Sequence, residues 1–335
     1  MKKIINNPKD FVDEMVSGIF AAHPEQIKFI NNDLRCLMRS DTIRKGKVSI
    51  LTGGGSGHLP LFLGYVGKGM LDACAIGNVF ASPSANRMFE LTKAINNGSG
   101  VLYIYGNYSG DKINFNMSAE LAEMENIKVE QVIGNEDVAS APKGNESDRR
   151  GVAGIFFVYK IAGACAEEMN NLNEVKRIAE KAKNNVRTMG LGLSPCILPE
   201  VGKPTFEIGE NEMEIGIGIH GEPGISKGVL KTADEIVSEI MDKILKDLPF
   251  NAGEEVSVLV NGLGSTPKEE LYIIYRRVSQ ILEKEKIKIF HPYIGEFATS
   301  LEMAGMSISL LKLDDELKYY LKKSAKTPFF EQNQL

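Results

Sequence analysis

Several residue types that often carry function are scarce in this chain. It has no tryptophan, four histidines and four cysteines among 335 residues, and its formal net charge is -5. No apolar run approaches the roughly 18 residues of a membrane-spanning helix, and no basic stripe marks a nucleic-acid surface. We therefore expect a protein that neither enters a membrane nor binds nucleic acid directly. Any action at DNA would pass through a protein partner.

The four cysteines give no sign of a disulfide framework or a metal site. They stand far apart, with no CxxC pair and no metal-ligand spacing: Cys36, Cys74, Cys165 and Cys196. The chain starts with two lysines after the methionine and continues into a polar segment instead of a signal peptide. These features indicate a reduced, cytoplasmic protein without a metal or a bound cofactor, in which the cysteines are small core residues.

The first half of the chain alternates between strands, loops and helices. Apolar and charged fractions of 43% and 25% are typical of a globular protein. The alternation predicts an α/β domain with a largely parallel sheet. Its predicted strands are 47–52, 101–105 and 129–133, and its predicted helices are 10–22, 113–126 and 152–169. The polar stretch 170–183 leads toward a boundary near residue 185.

A different pattern begins after residue 189. Strands are predicted at 205–207, 213–219, 255–261, 287–292 and 307–312, with amphipathic helices at 233–248 and 268–284. The whole chain is long enough for two cores. We therefore predict two α/β domains, 1–185 and 186–335.

One histidine stands at the end of the predicted strand 213–219. His220 follows an alternating Ile-Gly pattern and precedes the turn sequence Gly-Glu-Pro-Gly. Because it has no bulky neighbour on either side, its ring could approach a small ligand in a cleft. The alternative is a core histidine satisfied by a backbone carbonyl, and this segment alone leaves both interpretations open.

A second histidine, His58, closes the glycine-rich segment Gly-Gly-Gly-Ser-Gly-His at 53–58, directly after a predicted strand. Bare backbone N–H groups in such a loop can bind a phosphate or an oxyanion. The segment lacks the Lys-Ser/Thr ending of a P-loop and the spacing of a dinucleotide fold, which argues against nucleotide binding. A tight structural turn is the alternative, and the adjacent His58 favours a site.

Asp111 ends the polar loop that follows the predicted strand 101–105. Loops beyond the carboxyl ends of parallel strands converge on a ligand crevice. Asp111 and His58 could therefore share one pocket, as hydrogen-bond partners or as a general acid and base. The alternative role for Asp111 is to cap the helix that follows. His23 and His291 lack such contexts, and we interpret both as structural.

Several motifs occur in one order from about residue 50 to the end of the chain. They are GGGSGH at 53–58, NYSGD at 107–111, DRRGVAG at 148–154, LGLSPC at 191–196, GIHGEPG at 218–224, NGLG at 261–264 and SLEMAG at 300–305. Together they resemble the substrate-binding K subunit of the dihydroxyacetone kinase family. The resemblance implies the fold of that subunit, with two α/β domains, and a homodimer.

The resemblance also implies roles for individual residues. The histidine that matches His220 adds through an imidazole nitrogen to the ketone carbon of dihydroxyacetone and forms a covalent hemiaminal, which excludes glycerol. The addition needs a neutral imidazole, and an ordinary histidine with a pKa of about 6.5 is mostly neutral near pH 7. His58 and Asp111 match residues that bracket the ligand hydroxyls and assist proton transfer. Further ligand contacts are expected from the glycine-rich segment and a neighbouring loop: Gly55, Ser56, Gly57 and Ser82.

Two positions depart from the kinase pattern. Kinase members carry lysine where this chain has Gly106, and glutamate where it has Leu59. Glycine cannot supply an ammonium to neutralise an incoming phosphoryl group, and loss of one such contact commonly costs about 10²–10³ in rate. The ligand-capture residues are therefore retained, while the surroundings for phosphoryl transfer are altered.

This combination is similar to a non-kinase paralogue of the K subunit, the DhaQ-type coactivator, which binds dihydroxyacetone and acts with a transcription factor of the TetR type. The sequence therefore predicts a regulatory protein that controls dihydroxyacetone kinase genes through such a partner. The alternative is the K subunit of a phosphotransferase-dependent kinase for dihydroxyacetone or a related short ketose. That enzyme would need an ADP-bearing L-type subunit, because nothing in the chain resembles the nucleotide-binding domain of the family.

Overall fold

Two six-stranded sheets, one in each half of the chain, organise the computed structural model, which describes residues 2–335. The strands of the first sheet are β1 (Ile27–Ile30), β2 (Asp33–Arg39), β3 (Ser49–Ser56), β4 (Ala73–Val79), β5 (Val101–Gly106) and β6 (Val129–Gly134). Their order is β1-β2-β4-β3-β5-β6. Strands β3 to β6 are parallel, and β1 and β2 add an antiparallel edge. This is the largely parallel sheet that the sequence predicts.

Five helices accompany the first sheet: α1 (Phe11–Ala22), α2 (Ala85–Ile95), α3 (Ser109–Met124), α4 (Ile155–Glu167) and α5 (Leu172–Asn184). Helices α1, α4 and α5 contribute to one apolar cluster, and α2 and α3 contribute to another. Helix α4 is buried at every residue except the last, but it is only 13 residues long. None of the helices in residues 2–335 combines the length and the apolar character needed to cross a membrane.

The strands of the second sheet are β7 (Val186–Ser194), β8 (Glu212–Ile215), β9 (Ser226–Val229), β10 (Glu255–Gly262), β11 (Lys288–Gly295) and β12 (Ala304–Leu313). Their order is β11-β10-β12-β7-β8-β9, in which β10 and β11 are parallel and the other neighbours are antiparallel. Helices α6 (Ala233–Asp247) and α7 (Lys268–Lys284) pack on a separate apolar cluster with this sheet. The predicted α/β class is confirmed for both halves.

The last helix returns to the first half of the chain. Helix α8 (Asp315–Leu321) packs against α4, and its Leu317 and Leu321 belong to the same apolar cluster as α4 and α5. A two-stranded sheet of β13 (Ala325–Lys326) and β14 (Glu331–Gln332) follows. The division into 1–185 and 186–335 stays a prediction, and the C-terminal segment adds side chains to the first core.

The polar stretch 170–183 is mostly helix α5, where the sequence suggested an approach to a domain boundary. The side chain of Asn171 caps the helix by accepting from the backbone N–H of Glu174. Its buried positions recur every three or four residues, at Leu172, Val175 and Ile178. Only a narrow stripe of this helix is apolar and the rest is charged, so its composition alone did not indicate a helix.

Two predicted strands of the second half differ in the structure. The strand predicted at 213–219 ends at Ile215, because Gly216 adopts a φ of 81° that turns the chain. The segment 205–207 forms no strand, and Thr205 instead donates its backbone N–H to the carbonyl oxygen of Cys196. His220 therefore lies in the loop between β8 and β9 and not directly at a strand end.

A buried ionic cluster ties together elements of the first sheet. Asp72 is fully buried and accepts from Lys47 Nζ at 2.6 Å and Arg39 Nη1 at 2.9 Å. The backbone N–H of Ile50 donates to the same carboxylate at 2.8 Å, and Arg39 Nη1 also donates to Glu167 at 2.7 Å. Because Lys47 and Arg39 are buried as well, each charge depends on its partners for the stabilisation that water would otherwise give.

We expect Asp72→Ala to lower the free energy of unfolding by about 3–5 kcal/mol, because two buried cations lose their shared counterion. Urea unfolding followed by circular dichroism measures the effect. Asp242→Ala is the matched control, since its carboxylate pairs with Lys246 on the exposed face of α6 and such pairs contribute about 0–1 kcal/mol. Equal losses for the two variants would contradict a structural role for the buried cluster.

Candidate functional site

The candidate site lies where the carboxyl ends of β3 and β5 meet the loop between β8 and β9. His58 follows β3, Asp111 lies in the first turn of α3, and His220 lies in the β8–β9 loop. The ring centroids of His58 and His220 are 4.8 Å apart, with an interplanar angle of 73°. Together with Tyr108 and Glu222, these residues form what we call the two-histidine site.

His220 is held by Glu222, two residues later in the same loop. Nδ1 of the ring lies 2.8 Å from Oε1 of Glu222, and the backbone N–H of His220 donates to Oε2 at 3.0 Å. Burial would raise the pKa of Glu222, but the hydrogen bonds that it accepts from His220 lower it to about 2. Glu222 is therefore a carboxylate. The hydrogen-bond pattern assigns the ring proton to Nδ1, which leaves a lone pair on Nε2.

Arg150 anchors the β8–β9 loop to the first half of the chain. Its Nη2 donates to the carbonyl oxygen of Gly216 at 2.8 Å, and its Nε donates to Oδ2 of Asp137 at 2.9 Å. A Cβ at Gly218 would overlap the carboxylate of Glu222 and the guanidinium of Arg150. Glycine at position 218 is therefore required for the loop to hold His220 in this place.

His58 is buried and neutral. Burial and the neighbouring His220 together lower the pKa of its imidazole to about 3. Nδ1 lies 2.8 Å from the carbonyl oxygen of Thr299, so this nitrogen carries the proton and donates. Nε2 is buried without a hydrogen-bond partner among residues 2–335. A neutral imidazole with one bare nitrogen can accept a hydrogen bond from a ligand hydroxyl.

Asp111 is the third residue of α3 and does not cap it through a side-chain hydrogen bond. The N-cap residue is Tyr108, which makes no side-chain cap bond either. Burial raises the pKa of Asp111 to about 6, although the nearby Ser82 and His220 favour the ionised form. Its Oδ1 is buried and has no hydrogen-bond partner in the described part of the chain. A buried carboxyl group with one unpaired oxygen and a pKa of about 6 can exchange protons with a ligand near neutral pH.

The glycine-rich segment is largely part of β3, not the loop that the sequence predicts. A Cβ at Gly54 would overlap the ring of Phe62, and a Cβ at Gly55 would lie 2.6 Å from the backbone nitrogen of Ala81. The hydroxyl of Ser56 donates to the carbonyl oxygen of Gly77 at 2.8 Å. Close packing within a strand thus accounts for Gly54 and Gly55, instead of the tight turn that was the structural alternative.

Gly57 and Ser82 lie at the edges of the site. Gly57 has a φ of 103°, and its carbonyl oxygen accepts the backbone N–H of Leu301 at 2.7 Å. Ser82 lies between β4 and α2, where its hydroxyl accepts from the side-chain amide of Asn114 at 3.2 Å. Ser82 is therefore beside the first turns of α3, close to Asp111.

Sequence reasoning missed three neighbours of His220. Phe80 has a φ of 57°, stacks on His58 with a centroid distance of 4.8 Å and packs edge-on against His220 at 5.0 Å. Tyr108 packs edge-on against His220 at 4.8 Å, and its buried hydroxyl has no partner among residues 2–335. Glu222 could have been found from its spacing of two from His220, whereas no local signal identifies Phe80.

Gly106 and Tyr108 are sterically coupled. Gly106 ends β5, and a Cβ there would lie 3.0 Å from Cε2 of Tyr108 and 3.3 Å from the carbonyl oxygen of Gly151. Any side chain at position 106 would therefore require a shift of the Tyr108 ring, which packs against His220. The absence of a side chain at 106 allows the observed contact between Tyr108 and His220.

Leu59 lies on the other side of His58. It lines a groove of about 440 Å³ together with residues near the start of the chain, including Ile5, Phe11 and Met15. Leu59 thus makes apolar contacts where a carboxylate would bring charge.

The remaining two histidines lie outside the two-histidine site. His23 caps the carboxyl end of α1, and His291 lies in β11 beside Tyr293. Within residues 2–335, no group of three or more histidine, cysteine or acidic side chains is arranged to hold a metal ion.

Comparisons with known proteins agree on one family. The Dak1 domain model matches residues 17–329. The chain is 46% identical to the dihydroxyacetone-binding subunit DhaK of PTS-dependent dihydroxyacetone kinase 2 from Listeria innocua, with 99% of each chain covered. It is 39% identical to an L-erythrulose kinase from Pectobacterium atrosepticum, covering all of this chain and 57% of that protein.

A solved structure is similar over nearly the same length. The dihydroxyacetone kinase operon co-activator Dha-DhaQ superposes with a TM-score of 0.87 at 32% identity, covering 93% of this chain and 96% of the co-activator. Kinase subunits and a co-activator are thus both among the proteins that this chain resembles. The resemblance to the K-subunit family, which its sequence motifs indicated, is confirmed. Because the family model and these relatives match almost the whole chain, this protein belongs to the Dak1 domain family.

Proposed function

We propose that this protein captures dihydroxyacetone as a covalent hemiaminal on His220. The observation that carries the proposal is the 2.8 Å contact between Nδ1 of His220 and the carboxylate of Glu222. It keeps the proton on Nδ1 and a lone pair on Nε2, which is the nitrogen free to attack a ketone. The printed names of the relatives support the ligand, since the Listeria subunit is described as dihydroxyacetone-binding.

The site supplies the groups that the addition needs. As the Nε2 lone pair forms a bond to the carbonyl carbon, the C=O π bond opens and its oxygen takes a proton from Asp111. The product is an alkylated imidazolium and a hydroxyl, with Asp111 left as a carboxylate. The positive charge of the imidazolium is balanced by the Glu222 carboxylate beside Nδ1. Asp111, whose pKa is about 6, can give and recover the proton near neutral pH.

His58 contributes hydrogen bonding and not proton transfer. With a pKa of about 3, its ring stays neutral at physiological pH, and its unpaired Nε2 accepts a hydrogen bond from a ligand hydroxyl. Glycerol offers the same hydroxyls but no electrophilic carbon, so it cannot form the N–C bond. Discrimination thus comes from the covalent step, while Gly55, Ser56, Gly57 and Ser82 border the site as the proposed ligand contacts.

We further propose that ligand capture serves regulation, with the protein acting as a coactivator for a TetR-type transcription factor. Neither Asp111 nor His58 has a lysine or arginine among the charges that shift its pKa. Phosphoryl transfer to a bound ligand would need such a cation, and position 106 is a glycine packed against Tyr108. The fold similarity to the operon co-activator supports this assignment.

The second candidate function is that of a kinase subunit, which binds dihydroxyacetone for an ADP-bearing L-type partner. The 46% identity to the Listeria DhaK subunit favours it. The L-erythrulose kinase among the relatives extends this candidate to other short ketoses. Both candidates share the capture of a small hydroxyketone at His220 by a homodimeric protein.

Loss of the nucleophile should abolish adduct formation. We expect carbon-13 NMR of dihydroxyacetone labelled at its carbonyl carbon to show a hemiaminal signal with the native protein and none with His220→Ala. Glu222→Gln should slow adduct formation by about 10²–10³, because the developing imidazolium loses its counter-charge. His291→Ala, on β11 and outside the two-histidine site, is the control that should match the native protein. A persistent adduct in His220→Ala would overturn the proposal.

An assay of phosphoryl transfer to dihydroxyacetone distinguishes the two candidate functions. Supplied with ATP and an ADP-bearing L-type subunit, the native chain should form the adduct without phosphorylating dihydroxyacetone. Gly106→Lys adds both a Cβ and an ammonium, and Gly106→Ala adds only the Cβ that displaces Tyr108. Turnover by the lysine variant alone would identify the missing charge as the cause.

Rapid turnover by the native chain would instead establish the kinase subunit. The regulatory role is tested by the affinity of the transcription-factor partner with and without dihydroxyacetone. We expect a change in affinity that disappears in His220→Ala. An affinity that is the same with and without the ketone would contradict the coactivator assignment.

Burial of the ionised Asp111 carboxylate should lower the free energy of unfolding. Its pKa is about 6 in the folded protein against 3.8 in the unfolded chain, so native stability falls as the pH rises from about 4 to above 6. We expect Asp111→Asn to be more stable than the native protein at pH 8, by up to about 3 kcal/mol, with the difference smallest near pH 4. Urea unfolding at the two pH values measures this. A variant less stable than the native protein at pH 8 would contradict a net cost of burying this ionised carboxylate.

A further inference from the structure

Two of the sequence motifs, NGLG at 261–264 and SLEMAG at 300–305, supply no side chain to the two-histidine site. NGLG overlaps the end of β10, and SLEMAG runs into the start of β12, so both belong to the second sheet. The short segment Thr299–Leu301, which we call the clamp segment, connects these motifs to the site. Thr299 and Ser300 are buried, and buried polar groups need hydrogen-bond partners. Their partners include the loops that carry the two histidines.

The clamp segment holds His58 by its ring and by its backbone. The carbonyl oxygen of Thr299 accepts from Nδ1 of the His58 ring at 2.8 Å, and the backbone N–H of Thr299 donates to the carbonyl oxygen of His58 at 3.2 Å. The neighbouring residues are held as well. The Thr299 hydroxyl donates to the carbonyl oxygen of Leu59 at 2.9 Å, and the N–H of Leu301 donates to the carbonyl oxygen of Gly57 at 2.7 Å.

The middle residue of the clamp segment holds the loop of His220. The Ser300 hydroxyl donates to the carbonyl oxygen of Ile219, the residue directly before His220. Ser300 and Ile219 are both buried, so the bond is shielded from competing water. Consecutive residues have Cα atoms only about 3.8 Å apart. Thr299 and Ser300 therefore tie the two histidines to one short stretch of backbone.

Asn261 of the NGLG motif anchors the clamp segment to the second sheet. Its side chain is fully buried, and its Oδ1 accepts from the backbone N–H groups of Phe297 and Ala298 at 2.7 and 2.9 Å. Its Nδ2 donates to the carbonyl oxygen of Ala298 at 2.8 Å. The backbone N–H of Ser300 donates to the carbonyl oxygen of Leu263 at 2.9 Å. The two motifs thus form one hydrogen-bonded unit behind the site.

We propose that Thr299 and Ser300 are positioning residues for ketone capture, which hold the two histidines at one spacing. This inference rests on the proposed function, in which His220 attacks the ketone while His58 accepts a hydrogen bond from a ligand hydroxyl. Two ring nitrogens can serve one small ligand only at a suitable separation, and a displacement of about 1 Å can slow a reaction about 10²-fold. Ser300 acts through the backbone of Ile219 and not on the ligand.

A buried serine hydroxyl can instead contribute to stability alone, and Ser257 of β10 provides that comparison in the same sheet. Its hydroxyl donates to the carbonyl oxygen of His291 at 2.6 Å. Ser257 and Ser300 are both 0% exposed. The bond of Ser257 joins β10 to β11, outside the two-histidine site. Ser257→Ala is therefore the matched control for Ser300→Ala, because each change removes one buried hydroxyl that donates to a backbone carbonyl oxygen.

The rate of adduct formation distinguishes positioning from stability. With carbonyl-labelled dihydroxyacetone, we expect Ser300→Ala to form the adduct about 10²-fold more slowly than the native protein, while Ser257→Ala keeps the native rate. Both variants should lose similar stability in urea unfolding, since each loses one buried hydrogen bond. Equal rates of adduct formation in the two variants would overturn the role of Ser300.

Histidine spectra test the geometry in the absence of a ligand. The chain has four histidines, so selective labelling gives few signals. The rings of His58 and His220, with centroids 4.8 Å apart, should show a nuclear Overhauser effect in the native protein and none in Ser300→Ala. Nδ1 of His58 should stay protonated in that variant, because its acceptor is the backbone of Thr299. An Overhauser effect that persists in Ser300→Ala would contradict the assignment.

Thr299→Val is a second variant that changes the shape of the side chain little. It removes the hydroxyl that donates to Leu59 and keeps the backbone bonds to His58. Adduct formation should slow by up to about tenfold, the effect of one ordinary hydrogen bond. This variant decides the question if Ser300→Ala does not fold, and a native rate in Thr299→Val would then count against the clamp segment.

Failure of this inference and failure of the proposed function give different results. If the native protein forms no adduct, but its Overhauser effect is present and is lost in Ser300→Ala, the proposed function fails and the positioning of the histidines stands. If Ser300→Ala and Thr299→Val both form the adduct at the native rate with an unchanged Overhauser effect, the clamp segment has no positioning role and ketone capture stands.

Discussion

Arg150 makes the interactions on which the site depends, because it pairs with Asp137 of the first half and donates to Gly216 of the second half, where the two halves meet. Asp137 is almost fully buried, and burial raises its pKa to about 6 despite the guanidinium beside it. Such a pair is costly to form unless every donor finds an acceptor. Arg150 meets that condition by also donating to the carbonyl oxygen of Gly216 and lying 4.0 Å from Glu222. One side chain of the first half thus holds the loop that places His220 against His58.

Three of the six buried side-chain polar atoms that lack a hydrogen-bond partner in residues 2–335 lie around the two histidines. His58 Nε2, Tyr108 Oη and Asp111 Oδ1 are among the few buried side-chain atoms in residues 2–335 that make no hydrogen bond. Each such group costs about 1–3 kcal/mol when it stays unpaired. The buried ions at Asp72, in contrast, are fully paired. The buried charges at Asp72 are thus satisfied, whereas the unpaired groups around the two histidines are ones that a hydroxyketone, with two hydroxyls and a carbonyl, can satisfy. This contrast is a physical reason to place the ligand at His220.

The sequence predicted the class of fold well and the surroundings of the site less well. Long apolar strands and helices such as β10 and α7 were placed almost to the residue, because their periodicity is strong. Helix α5 was missed since most of its residues are charged. Gly54 and Gly55 were assigned to a ligand loop, but they are needed mainly for close contact with Phe62 and Ala81. Phe80 gave no local signal, because its place beside His58 comes from a left-handed turn and from contacts made only in the folded chain.

The same imidazole chemistry can serve transfer or sensing, and the surrounding charges decide between them. In the proposed reaction, addition of a ketone would turn His220 into an imidazolium beside Glu222, and Glu222 lies 4.0 Å from Arg150. In a transferase, a further cation beside the ligand would stabilise the negative charge of an incoming phosphoryl group. Here position 106 holds no side chain, and Tyr108 fills the space against the ring. The positive charge of the proposed adduct would therefore act on Glu222 and Arg150, which hold the β8–β9 loop. A change of charge that acts on a loop anchor is suited to reporting occupancy, because it alters the part of the molecule that ends in the exposed strand β9.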